Sequence, residues 1–156
     1  MIGAQGAPYG DNMSNVSGGD RALAVGLFVV ALITAAYWVI WYLVPGGEVM
    51  LSVLPDDPAH KRFEDAFLVA DAWMAFAAVI AALRLLSGSP AASAWLYMAG
   101  SAAIYLAGMD ILYDVQNGIY GLAAMPEHRD AVVTEAVINA GTLVFAALAI
   151  GRARRT

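Results

Sequence analysis

Residues 22–44 form an uninterrupted apolar segment without a single charged side chain. At about 1.5 Å of rise per residue, an α-helix over this segment is longer than the roughly 30 Å hydrocarbon core of a bilayer. Three further segments are of similar length and nearly as apolar, at about 63–86, 91–117 and 131–150. The sequence therefore predicts four transmembrane helices.

The composition supports this prediction. The chain has 156 residues, of which 61% are hydrophobic and 13% are charged. Soluble domains are about half apolar and about one quarter charged, and a chain this short cannot hide the excess apolar surface in a core of its own. We therefore predict an all-α fold in which residues 21–156 form one integral membrane four-helix bundle with antiparallel, up-down order.

The segments between the predicted helices have the composition of loops. Proline and glycine punctuate 45–62, 87–90 and 118–130. Residues 1–20 are rich in Gly, Asn and Ser and lack the apolar pattern needed for packing, so we expect a disordered polar tail. The first apolar segment is predicted to be an uncleaved anchor, because aromatic residues stand where a signal peptide needs small ones.

Positive charge is biased toward one side of the predicted bundle. One side carries Arg21, Arg84, Arg152, Arg154 and Arg155, and the other carries Lys61, Arg62 and Arg129. Lys and Arg are enriched in cytoplasmic loops. We therefore expect both termini in the cytoplasm and a multi-pass protein of a bacterial-type inner membrane or a plasma membrane.

Several classes of function are incompatible with this sequence. The absence of cysteine removes disulfides, thiolate metal sites and dithiol redox chemistry. A net charge of −5 without a basic stripe argues against nucleic acid as a partner. There is no nucleophile elbow, phosphate-binding loop or haem-ligand histidine pair. We expect no cofactor.

Acidic residues lie inside the predicted membrane segments. Asp71 and Asp110 are each about eight residues from the outer ends of their helices, which places both roughly 12 Å below the outer surface. Asp114 and Glu135 lie about one turn below that surface. A carboxylate inside the bilayer needs a partner or a proton, and no Lys or Arg is predicted at this depth. The acids therefore form a predicted proton or cation site.

Helical spacing aligns amide and aromatic side chains with these acids. The predicted site comprises Asp71, Asp110, Asp114, Glu135, Asn117, Asn139, Tyr113, Tyr37 and Trp41. The acids would supply charge, the two asparagines would orient the ligand, and the aromatic rings would stack on an organic cation. Polar residues on facing helices also serve as interhelical hydrogen-bonding groups, worth about 0.6 kcal/mol each, and for the asparagines this alternative stays open.

Three functions are compatible with such a site. The leading hypothesis is an outward-opening acidic cavity that binds a cation, a proton or a cationic, lipid-like small molecule, in a transporter or a ligand-binding protein. The second is an intramembrane lipid or sterol isomerase that uses a carboxylic acid pair. The third is an accessory subunit of a larger membrane complex, and a homo-oligomer is also compatible with the sequence.

The predicted architecture, with four membrane helices, cytoplasmic termini and a pocket with paired acids, is similar in outline to the emopamil-binding and sigma-2 receptor group. The resemblance is one of architecture. It implies that an acid pair would hold an amine or a carbocation-like intermediate.

Histidines in the predicted outer loops raise the question of a metal site. His60 and His128 have acidic neighbours in sequence, and these ligand types suit zinc or a harder divalent ion. Their spacing matches no standard metal-binding motif. We therefore expect them to be solvated loop residues, and we predict no metal site.

Overall fold

The computed structural model describes residues 16–155 and shows an all-helical chain, without strands in that range. The elements are α1 (Gly18–Leu43), α2 (Gly47–Leu51), α3 (Pro58–Asp65), α4 (Leu68–Leu86), α5 (Ala92–Asn117), a 3-10 helix (Ile119–Ala124) and α6 (Pro126–Ala153). The all-α prediction is confirmed. Most of the predicted tail at 1–20 lies outside the described residues, and α1 begins at Gly18, where the side chain of Ser17 accepts a hydrogen bond from the amide of Asp20.

Four helical segments are long and apolar enough to cross a membrane: Gly18–Leu43, Pro58–Leu86, Ala92–Asn117 and Pro126–Ala153. Only 22% to 33% of the most apolar stretch of each segment is buried inside the protein, so most of these apolar side chains face outward. Such a surface is stable in lipid rather than in water. The chain is thus a multi-pass membrane protein built as a helical bundle.

The second segment begins earlier than its apolar pattern indicates. It starts at Pro58 rather than near Phe63, because Asp57 caps α3 by accepting a hydrogen bond from the Ala59 amide. Proline at the first helical position has no amide hydrogen to leave unpaired. A short turn at Ala66 and Phe67 then separates α3 from α4.

The expected loop at 118–130 is also largely helical. It contains the 3-10 helix and the first turn of α6, which begins at Pro126. The chain therefore enters the fourth long helix earlier than the predicted start at Ala131. The loop prediction at 45–62 is likewise wrong in part, since α2 and most of α3 lie within it.

Alanine forms most of the packed core. The long helices pack as the neighbouring pairs α1–α4, α4–α5 and α5–α6. Buried alanines line these interfaces at positions Ala77, Ala78, Ala81, Ala82, Ala99, Ala103, Ala146 and Ala149. Such small side chains let helix backbones approach closely. The beginning of α1 is joined to the end of α6 by Arg152, whose guanidinium donates to both carboxylate oxygens of Asp20.

We predict that a side chain at Gly100 destabilises the α5–α6 interface. A Cβ there would lie 2.7 Å from Cγ1 of Ile150 and 3.2 Å from the Ala146 carbonyl oxygen. Gly100→Val should therefore lower the free energy of unfolding by about 1–3 kcal/mol. Gly108 on the same helix has no neighbouring atom within 4 Å of the corresponding position, so Gly108→Val is the matched control. The measurement is unfolding in mixed detergent micelles, and equal losses in both variants would contradict this packing.

Candidate functional site

A cavity of about 140 Å³ lies among the four long helical segments. Its polar lining consists of Thr34, Tyr37, Trp38, Glu64, Asp71, Asp110, Glu135, Asn139 and Thr142. Its apolar lining consists of Ile33, Phe67, Met74, Leu106, Ala107 and Ile138. The cavity therefore combines four acidic side chains with an apolar wall.

Three of these acids converge on one point. One carboxylate oxygen each from Glu64 in α3, Asp110 in α5 and Glu135 in α6 lies within 4.8 Å of the others. We call these residues the acid triad. At this separation and an effective dielectric constant of about 20, each pair of ionised carboxylates repels by roughly 3 kcal/mol. Protons or a bound cation must offset this repulsion.

Two aromatic residues of α1 hold acids of the cavity in place. The hydroxyl of Tyr37 donates to Oε2 of Glu64 at 3.3 Å. The indole Nε1 of Trp38 donates to Oδ2 of Asp71 at 2.9 Å. Tyr37 was predicted to stack on a ligand, whereas its hydroxyl here orients an acid. Trp38 was not among the predicted site residues.

Asp114 is buried next to the cavity but does not line it. It is 2% exposed and accepts a hydrogen bond from Nδ2 of Asn139 at 3.4 Å. Burial and a hydrogen bond to Asp114 raise the pKa of Tyr120 to about 12, so the phenol remains a proton donor. Asp114 thus joins α5, α6 and the 3-10 helix, and Asn139 connects it to the cavity.

Three other predicted site residues lie away from the cavity. Trp41 is buried and donates through Nε1 to Asp65 at 2.9 Å. Tyr113 stacks on Phe63 with a centroid separation of 3.7 Å. Asn117 is exposed, and its Nδ2 donates to the backbone carbonyl of Tyr113 at 2.9 Å. Of the predicted residues, the structure brings Asp71, Asp110, Glu135, Asn139 and Tyr37 together.

Glu64 was not among the predicted site residues. A helix start near Phe63 would place Glu64 near the membrane surface. The true start at Pro58 places it in the last turn of α3, where it reaches Asp110 and Glu135. The Asp57-Pro58 pair, a cap followed by a first-turn proline, was the sequence signal for this earlier start.

His60 also differs from expectation. It lies one turn before Glu64 on α3 and is only 2% exposed, whereas a solvated loop position was predicted. Its Nε2 is 3.6 Å from Oε1 of Glu64. The Oε1 atom of Glu64, which Tyr37 does not contact, thus lies next to an imidazole.

A second groove of about 450 Å³ borders the cavity. Residues of α2, of the segment that follows it and of the beginning of α6 line this groove, among them Glu127 and His128. Tyr37, Glu135 and Ile138 line both spaces. The groove and the cavity therefore meet at one corner of the acid triad.

Comparison of the chain with protein-family models, with curated proteins and with solved structures found no match in any of the three. The geometry of the cavity is accordingly the basis for a functional interpretation.

Removing one negative charge from the acid triad should stabilise the ligand-free protein. We predict that Asp110→Asn and Glu135→Gln each raise the free energy of unfolding at pH 8, by on the order of 1–3 kcal/mol, because they relieve like-charge repulsion. Glu127→Gln, an exposed acid of α6, is the control and should change little. Unfolding is measured in detergent with a chelator present, and a loss of stability at pH 8 in both triad variants would contradict the assignment.

Proposed function

We propose that this protein binds a small cation in the cavity between its membrane helices, with the acid triad supplying the negative charge. The observation that carries the proposal is the meeting of three carboxylates from three helices within 4.8 Å of one another beside a cavity. Glu135 and Asp110 are joined by a hydrogen bond, but a contact worth about 0.6 kcal/mol does not outweigh the repulsion among three ionised acids, so protons or a cation must accompany them.

The size of the cavity favours a small ligand. Pockets for drug-sized molecules have volumes of roughly 300–1,000 Å³, whereas this cavity has about 140 Å³. A cavity needs about 10–15 Å³ of such volume to hold one water molecule. The volume suits a partly hydrated ion or a small ammonium compound. It weighs against a sterol or a long amphiphile, which the isomerase hypothesis requires.

We also propose the up-down, antiparallel arrangement with both termini in the cytoplasm. Contacts between opposite ends of neighbouring helices support it: Trp38 late in α1 contacts Asp71 early in α4, and Ser93 early in α5 donates to the carbonyl of Ala153 late in α6. The excess of Arg and Lys on the terminal side favours the cytoplasmic assignment. A bacterial-type inner membrane or a plasma membrane is the corresponding location.

In this orientation the acid triad lies in the outer half of the bundle, and the second groove leads to it from outside. The acids Glu127 and Asp130 line that groove and would attract cations toward the cavity. The opposite half of the bundle is packed with alanine and leucine, including Ala81 and Leu96, both fully buried. A cation could therefore enter the cavity directly from the outer side, whereas its passage to the cytoplasm would require the helices to move.

Cation binding should stabilise the folded protein by mass action. In detergent, wild-type protein should unfold at higher temperature as a small cation is added, with monovalent, divalent and methylammonium ions tested separately. Asp110→Asn should need at least about ten times more of the effective cation, because it removes a charge that faces the ligand. Asp56→Asn, which changes an exposed acid outside the cavity and the groove, should respond as wild type does. If none of the cations stabilises the wild-type protein, the proposal is wrong and the accessory-subunit hypothesis gains support.

The proposed orientation is testable because the chain contains no cysteine. Asp56→Cys and Arg155→Cys each introduce one exposed thiol, in the segment between α1 and α4 and at the C-terminal end respectively. A membrane-impermeant maleimide added to intact cells should label Asp56→Cys, whereas Arg155→Cys should react only after lysis. The reverse labelling pattern would contradict the orientation.

A further inference from the structure

His60 is a buried polar side chain without a hydrogen-bonding partner. The residue is 2% exposed, and neither ring nitrogen makes a hydrogen bond. A buried polar group left without a hydrogen bond destabilises the folded protein. Its Nε2 nevertheless lies 3.6 Å from Oε1 of Glu64, a member of the acid triad. His60 is thus a buried nitrogen donor without a hydrogen bond beside one member of the triad, Glu64, although it does not itself line the cavity.

We infer that the cation bound by the acid triad is a divalent transition-metal ion, with His60 as its nitrogen ligand beside Glu64, Asp110 and Glu135. This inference rests on the proposed function, because it names the ion that the same cavity would take. Carboxylate oxygens and an imidazole nitrogen are the ligand set that proteins use for Zn²⁺ and for related ions such as Mn²⁺ and Fe²⁺.

The distance between His60 and Glu64 suits two ligands of one ion. Ligand bonds of about 2.0–2.2 Å to a tetrahedral ion place neighbouring ligand atoms roughly 3.3–3.6 Å apart. The separation between Nε2 of His60 and Oε1 of Glu64 is 3.6 Å, and the triad oxygens lie within 4.8 Å of one another. His60 is not among the atoms within 4.8 Å of one another, so one shared ion would require the Asp110 and Glu135 side chains to move toward the Glu64–His60 pair.

The charge and the surrounding hydrogen bonds also favour a divalent ion. Three ionised carboxylates carry a total charge of −3. A divalent ion offsets two of these charges, whereas a monovalent ion offsets one. Tyr37 donates to Oε2 of Glu64 and leaves Oε1 on the side of His60. Hydrogen bonds of this kind fix the orientation of metal-binding carboxylates.

The imidazole sets the expected selectivity. Mg²⁺ and Ca²⁺ prefer an all-oxygen environment, and Mg²⁺ dehydrates reluctantly. A nitrogen ligand shifts the preference toward Zn²⁺ and its neighbours. The site should therefore bind Zn²⁺ more tightly than either Mg²⁺ or Ca²⁺, and His60→Gln should reduce that difference.

The test uses the full chain, purified in detergent with a histidine-free affinity tag, stripped with a chelator and then equilibrated with Zn²⁺. Bound zinc is measured by mass spectrometry, and its affinity by competition with a chelating dye. Wild type should bind one Zn²⁺ per chain. Glu64→Gln, Asp110→Asn, Glu135→Gln and His60→Gln should each weaken binding at least about tenfold. Asp56→Asn, at an exposed acid outside the cavity and the groove, and His128→Gln, at the other histidine of the chain, are the controls and should bind as wild type does.

Because His60 is buried, its substitution can impair folding, and X-ray absorption spectroscopy of zinc-loaded wild type supplies a second readout. The expected shell contains oxygen atoms and one imidazole nitrogen, and an all-oxygen shell would overturn the role of His60. Zinc binding that survives the triad substitutions would overturn the metal site. If methylammonium still stabilises wild type but not Asp110→Asn, the proposed cation function stands without the metal; if neither ion binds, both proposals fail.

Discussion

The electrostatic repulsion among Glu64, Asp110 and Glu135 is the constraint on which this bundle depends. The three side chains belong to different helices, so repulsion among them acts directly against helix packing. Membrane helices lack a hydrophobic driving force toward one another and associate through close contact, which the buried alanines of α4, α5 and α6 provide. The packing of these helices therefore brings the negative charges of the triad close together. As a result, the stability of the fold depends on the protons or the cation that offset these charges.

The contrast between the acid triad and Asp114 supports this interpretation. Asp114 is almost fully buried on the same helix as Asp110, yet Asn139 and Tyr120 satisfy its carboxylate from neighbouring elements. It behaves as a structural polar contact. The triad has a hydrogen-bond donor in Tyr37, but its acids converge on one another, and only Glu64 is next to His60. The two polar clusters lie a turn apart on α5 but differ in their hydrogen bonding. The carboxylate of Asp114 is satisfied by protein donors, whereas the acid triad needs protons or a positively charged ligand to offset its charge.

Much of this architecture follows from the sequence, and the remainder depends on helix starts and on packing. Apolar length alone indicates four membrane helices, and depth along them brings Asp71 and Asp110 to one cavity. Helical spacing shows which residues share a stripe but not which stripe faces inward. Trp41 has the spacing of a cavity residue, yet it pairs with Asp65 instead. Asn117 is aligned with Asp110 but stands at the end of α5, beyond the packed region.

The central claim is that carboxylates of the triad exchange protons or water for a bound cation. Infrared difference spectroscopy of the membrane-embedded protein, with and without the cation that stabilises it, tests this most directly. The account predicts that cation addition alters the carboxyl and carboxylate stretching bands of the wild-type protein and that the change disappears in Asp110→Asn. A difference spectrum without carboxyl changes, or one that is identical in the variant, would contradict it.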